Sequence, residues 1–238
     1  MKALLIDDHP LIVAALRTVI EGLDDEVTVK SAASARVALE VLGSDPDFDL
    51  VLLDLSLGDA DGFDLLVELR SRHPALPVVV VSASDRSDDV IRAIDLGAMG
   101  YVPKRSSADT LHEALRTVLS GGIYVPAMAV KPEAPAQFGR FGDFGLGSSR
   151  APAEIASAQA AHLKLTPRQT EVLNLLLQGQ SNKLIARALN LSVETVKDHV
   201  AAVLRALNVS SRTQAVLAVS RMAPPGGALS AWRQSRLK

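Results

Sequence analysis

The sequence predicts two folds on one chain: an α/β doubly wound five-stranded parallel sheet, then a small all-α helix-turn-helix domain. Three observations lead there. Over residues 1–122, short apolar runs alternate five times with segments of helical period. Residues 123–161 break that rhythm with Pro126, Pro132, Pro135, Pro152 and the tract FGRFGDFGLGSS. Beyond them the pattern is helical throughout and the charge reverses sign.

In order, Ala3–Ile6 reads as a buried strand, and Leu11, Ile12, Ala15, Leu16, Val19 and Ile20 share one face of the helix that follows. Val27 and Val29 mark a second strand, and Val37, Ala38, Val41 and Leu42 a second helix. Leu50–Leu53 is the third strand, followed by a helix with Phe63, Leu66, Val67 and Leu69. Val78–Val81 is the fourth, followed by a helix with Val90, Ile91 and Ile94. Met99–Val102 is the fifth, and Leu111, Ala114, Leu115, Val118 and Leu119 form a helix that stops at Gly121-Gly122. Continuous apolar strands alternating with helices predict a parallel sheet covered on both faces.

Residues 123–161 are read as a linker, because structureless connections beyond ~12–15 residues are uncommon inside one domain. Its Ala-rich end, Pro152–Ala161, suits a helix. Residues 162–222 form the second domain. Thr166 is an N-cap with Pro167 at the first helical position, and Val172, Leu173, Leu176 and Leu177 are apolar partners up to a stop at Gly179. Ser181 caps a short helix with Ile185, Ala188 and Leu189. Ser192 caps a third, with Val196, Val200, Val203 and Leu207 on one face. A last helix spans about Arg212 to Met222, and residues 223–238 are a basic tail expected to be disordered.

The net charge of −2 hides an asymmetry. Residues 1–122 carry 11 Lys/Arg against 21 Asp/Glu, whereas residues 162–222 carry 8 against 3 and the tail 3 against none. An acidic front and a basic back point to separate tasks, with a polyanion such as nucleic acid as partner of the back. The absence of cysteine excludes disulfides and thiolate metal sites. Two aspartates interrupt the N-terminal apolar run after Ile6, which excludes a signal peptide. No apolar stretch approaches the ~20 residues that span a bilayer, so a cytoplasmic location without a membrane partner is expected.

Asp7 and Asp8 follow the first strand, Asp54 the third, Ser82 the fourth, and Lys104 lies just past the fifth. In a doubly wound sheet these positions converge at the carboxyl edge, where ligands bind. Three carboxylates there repel one another and call for a cation, and hard oxygen ligands favour Mg²⁺. Such an ion would bridge a carboxylate to an incoming phosphoryl group, with Ser82 and Lys104 placed to contact its oxygens.

The pieces LLIDDHP, VLLDLSLGDADG, VVVSAS and GAMGYVPKRSS resemble a CheY-like receiver domain, over residues 1 to about 122. The resemblance implies that Asp54 accepts a phosphoryl group. It also implies that Asp7, Asp8 and the Ser56 main-chain carbonyl help Asp54 bind Mg²⁺, that Lys104 contacts the phosphoryl group, and that Ser82 and Tyr101 form a switch pair. Gly58 stands where a proline is common, which is expected to loosen the loop after Asp54. Arg105 stands where many receivers have proline.

The stretch LTPRQTEVLNLLLQGQSNKLIARALNLSVETVKDHVAAVLRALNVSSRTQAV resembles a LuxR-type helix-turn-helix. With the receiver, this is similar to a NarL/FixJ-type two-component response regulator. The resemblance implies that the helix from about Val193 to Ala206 enters the major groove of double-stranded DNA, with Thr195, Lys197 and His199 at contact positions. Asn182 and Lys183 can reach phosphates from the preceding helix, as can Arg205; Arg168 and Arg212 are weaker candidates. Glu194 and Asp198 depart from a phosphate-binding face, although Asp198 can accept from a cytosine amino group. Phe138, Phe141 and Phe144 in the linker are read as incidental to a flexible segment, with docking onto either domain as the alternative.

The expected function is transcriptional control in a two-component system. A sensor histidine kinase or small phosphodonor modifies Asp54, the domains rearrange, and the chain pairs as a homodimer on DNA. Two rivals stay open: a transcription factor controlled without phosphorylation, through the linker or a ligand, and a Mg²⁺-dependent phosphatase. The second needs an aspartate two positions after Asp54, where Ser56 stands. No enzymatic turnover is expected beyond slow loss of the chain's own phosphoryl group.

Overall fold

The computed structural model describes residues 1–23, 26–127 and 165–222, in two compact units. The linker phenylalanines, the Pro152–Ala161 helix and the basic tail lie outside the described residues.

The N-terminal unit alternates β1 (Lys2–Ile6), α1 (Pro10–Glu21), β2 (Thr28–Ala32), α2 (Ala35–Ser44), β3 (Leu50–Leu53), α3 (Gly62–Arg72), β4 (Val78–Ser82), α4 (Ser87–Asp95), β5 (Gly100–Pro103) and α5 (Ala108–Leu119). All strand pairs are parallel, in the order β2-β1-β3-β4-β5. The sheet is therefore the doubly wound one expected. Strand order reverses direction between β1 and β3, which makes their carboxyl ends the switch point.

Alternation along each strand divides the core in two. In β1, Leu4 and Ile6 join Phe63, Leu66, Val90 and Tyr101 on one face. Ala3 and Leu5 join Leu16, Ile20, Leu111 and Leu115 on the other. Five residues assigned to helix cores are corrected: Leu11, Ala15, Val67, Ile91 and Ala188 are exposed. They flank the true seams, where Val13, Leu65, Ala93 and Ala186 pack instead. Apolar residues outside the core are common, so helical period alone overassigns the seam.

The sheet edge extends beyond the expected boundary. Tyr124 forms a parallel bridge with Gly100, donating to the Met99 carbonyl at 3.0 Å and accepting from the Tyr101 amide at 3.1 Å. Residues at 123–127, expected as linker, thus cover the open side of β5, which protects its unpaired backbone groups.

Gly62, at the start of α3, has no room for a side chain. A Cβ there would lie 2.4 Å from the Leu55 Cα and 2.8 Å from the Asp54 carbonyl oxygen. Gly62→Ala must push this backbone aside. It is expected to cost roughly 1–3 kcal/mol in urea unfolding, as overpacking typically does.

The C-terminal unit contains α6 (Pro167–Leu177), α7 (Asn182–Leu189), α8 (Val193–Ala206) and α9 (Arg212–Met222). Thr166 and Gln169 form a reciprocal capping box before α6, while Ser181 and Ser192 cap α7 and α8 through their hydroxyls. Asn190 ends α7 in the left-handed region at φ 53°, and Leu191 donates back to Ala186 at 2.9 Å. The three residues from Asn190 to Ser192 make the sharp turn between α7 and α8 that a helix-turn-helix requires. Val196, Val200, Val203, Leu204 and Leu207 bury one side of α8.

Candidate functional site

The acidic site grows from the ladder itself. The Asp7 amide donates to Ala32 O at 3.1 Å and the Asp54 amide to Ile6 O at 2.8 Å, so both residues extend their strands. Their side chains meet at the switch point with almost no exposure: Asp7 is 3% exposed and Asp54 1%. Lys104 arrives from the end of β5, its amide bonded to Ser82 O at 2.7 Å. Its Nζ sits 2.7 Å from Asp54 Oδ2 and 2.8 Å from Asp7 Oδ2. Burial pulls the ammonium pKa down, but the bonds to Asp54 and Asp7 outweigh it, and the pKa is raised.

Asp54 Oδ1 is buried with no hydrogen-bond partner among the described residues. Carboxylate atoms of Asp7, Asp8 and Asp54 and a ring nitrogen of His9 lie within 4.8 Å of one another. An orphaned carboxylate oxygen within an oxygen-rich cluster fits a hard cation. His9 was missed by sequence reasoning. Its Nδ1 lies 2.7 Å from Asp8 and 3.2 Å from Asp7, at the exposed mouth of the cluster.

Ser82 closes β4, buried beside the site, and its hydroxyl accepts from the Ser84 amide. The Tyr101 ring lies inward and fully buried, its hydroxyl donating to Ser84 O at 2.8 Å. Burial raises the Tyr101 pKa, so this hydroxyl stays a donor. Arg105 pairs with Asp85. Ser56 lies in the loop after β3, bridged to Asp61.

That loop is held more firmly than Gly58 suggested. Asp59 accepts from the Ala35 amide at 2.9 Å and the Arg36 amide at 3.2 Å, both at the start of α2. Those two bonds hold its carboxyl below the ordinary carboxylate range. Asp61 caps α3 by accepting from the Phe63 amide at 2.7 Å. Two carboxylates thus pin both ends of the short segment, correcting the expected looseness.

In the C-terminal unit, Lys183 and Arg205 are exposed, and Asn182 and His199 are partly so. Thr195 shares a hydrogen bond with the Ser192 hydroxyl at 2.8 Å. Lys197 is largely covered and pairs with Glu194 at 3.2 Å. The two weaker phosphate candidates have internal partners instead. Arg168 donates to Leu189 O at 2.9 Å and pairs with Glu171. Arg212 donates to the Leu176 and Gln180 carbonyls that end α6, and burial lowers its pKa to about 10. Removing it orphans those carbonyls. Arg212→Ala is expected to cost roughly 1–3 kcal/mol of stability while leaving the salt slope of DNA binding unchanged. A lost phosphate contact would instead lower that slope by about 1.

An acidic cluster at the switch point of such a sheet, on one chain with a helix-turn-helix, defines a response-regulating transcription factor. Residues 3–116 match the response regulator receiver domain, and residues 163–219 match the luxR family of bacterial regulatory proteins. The chain is 36% identical to the glycerol metabolism activator of Pseudomonas putida, over 91% of this chain and 93% of that protein. It is 34% identical to the nitrate/nitrite response regulator NarP of Escherichia coli K12, over 91% and 93%. A solved LuxR-family two-component response regulator from Aurantimonas sp. SI85-9A1 superposes with a TM-score of 0.50 at 26% identity, covering 54% of this chain and 91% of that one. The chain belongs to the NarL/FixJ-type two-component response regulators: a receiver joined to a LuxR-type DNA-binding domain that controls transcription.

Proposed function

We propose that Asp54 is the phospho-acceptor and that its modification controls how the C-terminal unit binds DNA. One observation carries the reading: a buried carboxylate has one oxygen paired with Lys104 and the other without a partner. That asymmetry leaves Oδ1 open while Lys104 fixes the group. An Asp54 oxygen bonds to phosphorus as the donor's own bond to phosphorus breaks, and the leaving group departs with the electron pair. The donor is a sensor histidine kinase or a small acyl phosphate. Asp7, Asp8, Asp54 and the Ser56 main-chain carbonyl would hold Mg²⁺, which neutralises charge during transfer. Lys104 takes up the added negative charge, and the Ser82 hydroxyl donates to a phosphoryl oxygen. Tyr101, bonded one turn away at Ser84, carries the displacement toward α4 and β5.

The response shifts an equilibrium already present between arrangements of the chain. Modified chains pair as homodimers, and two α8 helices engage paired half-sites in double-stranded DNA. Asn182, Lys183 and Arg205 take phosphates, while Thr195, Lys197 and His199 face the groove. The receiver spans residues 1–122, extended by the edge segment through 127; a linker then runs to 161, the DNA-binding domain covers 162–222, and the tail follows. The protein is cytoplasmic, in keeping with described helices that are all too short or too polar to cross a membrane. It turns over no external substrate. Chelation tests the metal: with EDTA, uptake of phosphoryl from acetyl phosphate is expected to stop, and added Mg²⁺ to restore it. Equal uptake in both conditions would contradict the reading.

A further inference from the structure

We propose that Asp198 is a specificity-determining residue that reads a cytosine in each operator half-site. The inference rests on the reading that α8 enters the major groove. At 3.6 residues per turn, Asp198 lies about 180° around α8 from the buried stripe of Val196, Val200, Val203 and Leu207. It is exposed, and among the described residues it has neither a hydrogen bond nor an ion pair. Glu194, one turn earlier on the same outward line, is already paired with Lys197. Asp198 is therefore the one uncompensated carboxylate on the outward side of α8.

A carboxylate in that place has only acceptor atoms. Phosphates repel it, and so do guanine O6 and N7 and thymine O4, all acceptors. Adenine offers one donor beside the N7 acceptor. The cytosine N4 amino group is the donor in the major groove that a carboxylate matches without a facing acceptor on the same base. Ala201 and Ala202 follow it along the helix, and their short side chains let the backbone approach the base edges. Mismatch carries the greater part of the effect, because a carboxylate desolvated against an acceptor loses its water and gains repulsion.

The test selects bound half-sites from a randomised duplex library with full-length protein treated with acetyl phosphate and Mg²⁺. The proteins compared are wild type, Asp198→Ala and Asp198→Asn. Wild type is expected to prefer C·G at one position per half-site by about 5- to 150-fold. Asp198→Ala should lose preference there and keep it elsewhere. Asp198→Asn should turn toward adenine, whose N6 and N7 suit an amide. If both variants select the wild-type sequence and bind every duplex more tightly, Asp198 only repels phosphate and the proposal fails. If wild type itself selects no sequence, the groove reading fails and takes the proposal with it.

Discussion

Asp54→Ala is expected to abolish the response of DNA binding to a phosphodonor while leaving a folded protein. Wild type incubated with acetyl phosphate and Mg²⁺ should bind an operator fragment more tightly than untreated protein; for the variant the two curves should coincide. The size of the wild-type shift depends on how strongly modification biases pairing, since linking two recognition helices can raise avidity by ~10²-fold or more. The substitution removes a buried charge yet leaves Lys104 its bond to Asp7 at 2.8 Å, so the pocket keeps one ion pair. A variant that still responds like wild type would favour the rival in which control bypasses this pocket.

Lys104→Ala is the second large effect. The ammonium is the partner shared by two carboxylates whose side chains are 2% and 0% exposed. Removing it leaves two buried charges facing each other, a change that costs about 3–5 kcal/mol when a buried pair is broken. Urea unfolding at neutral pH in EDTA should show that loss. Two recoveries are expected with it. Added Mg²⁺ should restore part of the stability by replacing the lost cation between the same oxygens. Acidification should narrow the gap to wild type, because protonating a freed carboxylate relieves the repulsion. A deficit insensitive to both Mg²⁺ and pH would mean that Lys104 serves as packing and not as the counter-charge of the site.

Much of the receiver pocket could be read from the chain alone, for a definite reason. Asp7, Asp54, Ser82 and Lys104 each follow an apolar run by one or two residues, so a parallel sheet brings them to one edge whatever the loops do. Hydroxyl caps such as Thr166, Ser181 and Ser192 were equally readable, because the cap and its helix are contiguous. The contacts that escaped are those between segments far apart in sequence. Asp59 reaches α2 across 24 residues and Arg212 reaches Leu176 across 36, and no local pattern announces either. Arginines therefore misled: Arg168 and Arg212 look like phosphate ligands in a basic stretch, yet their donors serve helix-end carbonyls. His9 escaped for the opposite reason, since its neighbours Asp7 and Asp8 drew the chemistry and the ring beside them went unweighed.

Full-length protein incubated with Mg²⁺ and acetyl phosphate, weighed intact and then mapped by peptide after trapping of the acyl phosphate, gives the most direct measurement. The expected result is the mass of one added phosphoryl group, located on the peptide that contains Asp54. An unchanged mass, or a phosphoryl group on any other residue, would contradict the assignment of this buried carboxylate as the point where the signal enters.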